Sequence, residues 1–184
     1  MERTRMRRKP EPSVTPADWE QSKLAIQETG GWIKNADTKS TILAGSFGLS
    51  LTFAVPRLLE ALPTVAAAPF AFGLWVAAAV IFVAAALLTG YRIGNALLPR
   101  TSLGTSLMNR FAWPSLANVA PQHLPPQKLS ADDIRAEAWE QAASLARIAA
   151  AKYHSFKIAL VAFCIYLAAL LGLVVIQTVA VSVL

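Results

Sequence analysis

The sequence predicts an all-α membrane protein with three transmembrane helices and with cytoplasmic helical arms leading into the first and the third. Three observations predict this class. Residues 70–91 and 158–184 are runs of 22 and 27 residues without a charged side chain. At 1.5 Å per residue they reach about 33 and 40 Å, against a hydrocarbon layer of about 30 Å. Hydrophobic residues make up 55% of the 184 and charged residues only 15%, a balance that an ordinary soluble domain of this size does not have. The basic residues follow the apolar runs: eight precede the first span (Arg3, Arg5, Arg7, Arg8, Lys9, Lys23, Lys34, Lys39), one stands at Arg57, and eight run from Arg92 to Lys157. By the positive-inside rule the amino terminus and the 92–157 segment are cytoplasmic, and the Arg57 loop and the carboxyl terminus external. The same distribution accounts for the formal net charge of +6, so no nucleic-acid partner is expected.

Residues 1–14, beginning MERTRMRRKPEP, are basic and marked by proline, and they predict a disordered tail with no apolar stretch long enough for a signal peptide. Its five clustered basic residues supply the charge bias, and they suit anionic lipid at about 1 kcal/mol per charge. The first arm is expected over 15–40. Thr15 can cap, Pro16 fits the first helical position, and Asp18 can return a hydrogen bond. Trp19, Ile26 and Ile33 recur at seven-residue intervals and form an apolar stripe for packing on another helix. Gly30-Gly31 interrupts the arm at about 1 kcal/mol per Gly relative to Ala, as a hinge or as a place of close helix contact.

The arm passes without punctuation into the first span, 41–62. Its apolar run from Thr41 to Val55 reaches only about 22 Å and meets Pro56, so the span must extend toward Leu62 with Arg57 and Glu60 reaching outward, or thin the bilayer locally. Ala44, Gly48 and Thr52 recur every four residues and offer a seam for close helix packing in lipid. The connection RLLEALPTVAAAP joins this span to the second, 70–91, as an antiparallel hairpin. A proline-rich cytoplasmic linker, 92–129, holds Pro99, Pro114, Pro121, Pro125 and Pro126. Ser130 followed by Asp133 then opens a cytoplasmic helix, 130–157, that runs without Gly or Pro into the third span, 158–184. Its stripe of Ile134, Ala138, Leu145 and Ile148 or Ala149 suits packing on the amino-terminal arm.

No hydrolytic or redox centre can be assembled from the remaining residues, and the chain does not read as an enzyme. His123 and His154 stand in unrelated contexts without a second His or Cys at metal-ligand spacing, so neither metal nor cofactor is expected. Cys164 has no disulfide partner and reads as a small buried hydrophobe. The carboxylate pairs Asp132/Asp133 and Glu137/Glu140 lie in the first turns of a helix, where they complement its dipole.

The pattern W-I-x-x-A-D-x-K-S-T-x-L at Trp32 to Leu43, the two-span hairpin, FAWPSLA at Phe111 to Ala117, and ARIAAAKYHSFKIAL at Ala146 to Leu160 together resemble the membrane-spanning effectors of Pycsar, the bacterial pyrimidine cyclase antiphage system. The resemblance covers about residues 20 to 175. It implies a homo-oligomeric effector in the bacterial inner membrane, partnered by a cyclase encoded nearby. The cyclase would make cyclic UMP or cyclic CMP on infection, and the effector would then impair the lipid bilayer and cause growth arrest or death. Such a ligand carries one phosphate charge and an aromatic base, so its site should combine a cation with a stacking ring. Trp32 with Lys34 or Lys39, Arg110 with Phe111 and Trp113, and Lys152 with Tyr153 are the candidate ligand-binding groups; each has a plainer explanation as an interfacial aromatic belt with reaching cations. Asp37, at the junction of arm and span, is the candidate coupling residue, with Lys34, Arg147 or Lys152 as its partner. The alternatives are a ligand-independent scaffold or toxin-like protein, and a small channel or transporter component. The absence of ionisable residues from the second and third spans counts against the last.

Overall fold

Continuous backbone hydrogen bonding inside each segment is what lipid demands of a spanning chain, and this sequence meets it with three helices. The structure, a computed structural model, describes residues 16–99, 109–112 and 130–183. Helix α1 runs over Pro16–Ala66, α2 over Pro69–Leu97 and α3 over Ala131–Val183, of 51, 29 and 53 residues. All three are long and apolar enough to cross a membrane. The basic tail, Thr15, most of the proline-rich linker including Trp113, and Leu184 lie outside the described residues.

Arm and span are one helix twice over. α1 passes through Gly30-Gly31 and continues beyond Pro56 and Pro63 to Ala66, although each proline lacks the N–H that would bond the carbonyl four residues back. Only Ala67 and Ala68 then link α1 to α2, with Ala67 N–H donating to the Thr64 carbonyl at 3.3 Å and Ala68 N–H to that of Val65 at 3.1 Å. Pro69 opens α2, where its missing donor costs nothing. α2 runs past Tyr91 to Leu97, into what the sequence assigns to the linker. The row Phe82, Ala85, Thr89, Ile93 and Ala96 stays buried through that last turn, and Pro99 then bars continuation. At the start of α3, Ser130 and Asp133 form a capping box: Asp133 N–H donates to Ser130 Oγ at 3.1 Å and Ser130 N–H to Asp133 Oδ2 at 3.2 Å.

The chain forms two compact units, dividing between Gly30 and Gly31 on α1 and between Ala146 and Arg147 on α3. In the first unit, the start of α1 and the start of α3 meet at Arg135 and Asp18, 3.8 Å apart. Ser22, Ala138, Gln141, Ala142 and Ser144 are its buried helical positions. Of the expected α3 stripe, Ala138 and Ala149 are buried, and Ile134, Leu145 and Ile148 are half-buried. Gln141, Ala142 and Ser144 share the interior with Ala138.

In the second unit, Ala54, Phe82, Ala85, Tyr166 and Leu173 form one core cluster and Leu43, Ile93 and Ala159 another. Tyr166 sits among aromatic rings, with centroids 4.7 Å from Phe82, 5.4 Å from Phe47 and 5.7 Å from Phe163. The inward row of α1 is Ser40, Leu43, Phe47, Ser50 and Ala54, at the three-and-four spacing of a packed helix. The expected seam does not lie on it. Gly48 and Thr52 are exposed, and only Ala44 is half-buried against the second cluster. Cys164 likewise proves exposed. On a helix apolar all round, composition does not say which side meets protein.

Candidate functional site

At the membrane junction of the second unit one buried ammonium ties the three helices together. Lys152 of α3 donates from Nζ to Asp37 Oδ1 of α1 at 2.5 Å and to the carbonyl of Ala96 of α2 at 2.8 Å. Each contact has a reason in the sequence. Ala96 lies in the last turn of α2, where carbonyls have no partner within the helix and the helix end is partially negative. Lysine is almost never buried unless paired, and Lys152 is only 4% exposed. The Asp37 side chain keeps 41% of its surface exposed, so the carboxylate covers the ammonium from the open side. Of the three partners the sequence offers Asp37, the structure selects Lys152.

An aromatic face adjoins this tie. Trp32, 56% exposed, stands edge-on to Tyr153 with ring centroids 6.0 Å apart. Lys39 Nζ lies 5.7 Å from the centre of the Tyr153 ring, within cation–π range. The Tyr153 hydroxyl and the buried Ser40 Oγ have no hydrogen-bond partner among the described residues. Arg92, one turn before Ala96 on α2, holds an Nε in the same condition. Among the described residues joined by these contacts, Lys39 and Lys152 are two cations against one carboxylate, Asp37, so the junction favours an anion. Two groupings that the sequence separates, Trp32 with Lys39 and Lys152 with Tyr153, are thus one cluster.

Arg110 stands elsewhere. In the first unit its Nε donates to Glu137 Oε2 at 2.9 Å, and its Nη2 is buried without a partner among the described residues. Asn109 Nδ2 donates to the Glu137 carbonyl at 2.8 Å, and Phe111 packs on Trp19 with centroids 5.9 Å apart. Glu137 therefore does more than complement a helix dipole. Trp113, the third member of that group, is outside the described residues. Sequence reasoning missed the Ala96 carbonyl, Ser40 and Arg92. The only signal for them was their place one turn from Asp37 or at the end of an apolar run. His154 is exposed, and no group of three His, Cys, Asp or Glu side chains among the described residues could hold a metal.

The profile of the Pycsar effector protein domain matches residues 21–180, a stretch that includes every residue of the junction cluster. The chain belongs to the Pycsar effector protein family. Membership supports the role of a Pycsar antiphage effector working in a system with a companion cyclase, and the three apolar helices agree with a membrane protein. No curated protein and no solved structure matches the chain.

Proposed function

We propose that this Pycsar effector rests with its three helices tied at Lys152. On infection it is switched by cyclic UMP or cyclic CMP from the companion cyclase, and its spans then impair the inner membrane, arresting or killing the host. What carries this reading is the gathering of a stacking surface, Trp32 and Tyr153, and a second cation, Lys39, around the residue next to the lysine that joins all three helices. A ligand held there by its base and its phosphate bears directly on the tie. The effector acts without catalysis and without a cofactor, as a homo-oligomer whose amino terminus, by the placing of its basic residues, faces the cytoplasm.

Cells carrying the chain beside an active or an inactivated cyclase test the reading. Growth arrest and uptake of a membrane-impermeant dye are expected only with the active cyclase. Equal dye uptake in both would replace this reading with a ligand-independent one.

A further inference from the structure

We infer that the nucleotide switches the effector by anion exchange at Lys152: its phosphodiester takes the ammonium from the Asp37 carboxylate. This rests on the reading of the chain as a nucleotide-responsive effector and adds where and how the anion acts. The geometry points to exchange rather than addition. A phosphodiester approaching from the open side meets Asp37 first, and two anions on one ammonium repel each other. The two partners differ in freedom. Lys152 is 4% exposed and bonded to the Ala96 carbonyl as well, so it cannot leave without stranding a buried charge. Asp37, with 41% of its side chain exposed, can turn to water.

The rest of the cluster supplies what a cyclic nucleotide brings beyond charge. Trp32 and Tyr153 present ring faces and edges to a base, Lys39 is a second cation beside them, and the Tyr153 hydroxyl is a donor with no partner among the described residues. Binding energy spent on these groups breaks the Asp37–Lys152 bond while Lys152 stays on α2, and the ligand takes the place of that bond between α1 and α3. Ligand affinity and loss of the Asp37–Lys152 bond are therefore one equilibrium.

The test is calorimetric titration of the full chain in lipid nanodiscs with cyclic UMP and with cyclic CMP, using the wild type, Asp37→Asn, Tyr153→Phe and Lys152→Met, with helicity checked by circular dichroism. Exchange predicts that Asp37→Asn, which removes the competing anion, binds about tenfold more tightly. It also predicts that Tyr153→Phe, which deletes a hydroxyl with no partner among the described residues, binds about tenfold more weakly, and that Lys152→Met loses binding. If Lys152→Met does not fold, the other two variants decide. Wild-type binding with unchanged or weakened affinity in Asp37→Asn overturns the exchange and leaves the nucleotide reading standing. No binding of either nucleotide to the wild type overturns both.

Discussion

Arg110 and Glu137 form a charge-assisted pair at 2.9 Å in which their side chains are only 27% and 22% exposed. The Arg110 backbone N–H turns to the same carboxylate oxygen at 3.4 Å, and Asn109 fixes the neighbouring carbonyl of the helix. A guanidinium answered in this way is anchored by its own fold.

Replacing Arg110 by Ala is accordingly expected to destabilise the protein by about 1–3 kcal/mol, less than the 3–5 kcal/mol of a fully buried pair that loses one member. Nucleotide affinity should stay within about twofold. Thermal unfolding followed by circular dichroism, with calorimetry beside it, reads both. A loss of affinity with an unchanged melting temperature would make Arg110 a ligand contact instead.

Tyr166 carries the second prediction. It is fully buried among Phe47, Phe82 and Phe163, and its hydroxyl has no hydrogen-bond partner among the described residues. A buried donor without a partner costs on the order of 1–3 kcal/mol. Tyr166→Phe keeps the ring packing and removes that cost, so it should raise the melting temperature by about 2–4 °C per kcal/mol recovered. A lower melting temperature would show that the hydroxyl is bonded in solution.

The parts of this fold that were legible in the sequence are those that lipid or a single helix end dictates. Charge-free runs had to span, and Ser130 with Asp133 had to cap. The side of each span that faces protein was not legible, because the lipid face and the packed face are both apolar; Gly48, Thr52 and Cys164 turn outward for that reason. Asp37 could be marked as a charge needing a partner. Its choice of Lys152, 115 residues away, depended on how α1 and α3 pair. The third party to the tie, the Ala96 carbonyl, is a backbone atom that no side-chain pattern announces.

Topology can be checked directly. With eight basic residues before the first span, one at Arg57 and eight from Arg92 to Lys157, reporter fusions after Arg57 and after Leu184 should report an external location, and a fusion at Gln127 a cytoplasmic one. An external signal at Gln127 would reverse the orientation or remove a span.

The last prediction concerns Gly30 and Gly31, where α1 passes between the two compact units. The sequence left two explanations for the pair, a hinge or a close helix contact. A Cβ added at either position meets nothing within 4 Å among the described residues, which favours the hinge. Against those residues a methyl group costs no packing, and each Gly→Ala change should gain about 1 kcal/mol of helix propensity. Keeping two glycines in mid-helix therefore gives up stability that alanine would restore, and bending of α1 during activation is a use that would explain it. The double variant Gly30→Ala, Gly31→Ala is expected to melt higher than the wild type and to bind nucleotide with unchanged affinity. In cells with an active cyclase it should admit less dye, because the stiffer helix resists the change that follows binding. Dye uptake equal to the wild type in a variant that melts higher would sink the hinge and leave the glycines as a local weakness of the helix.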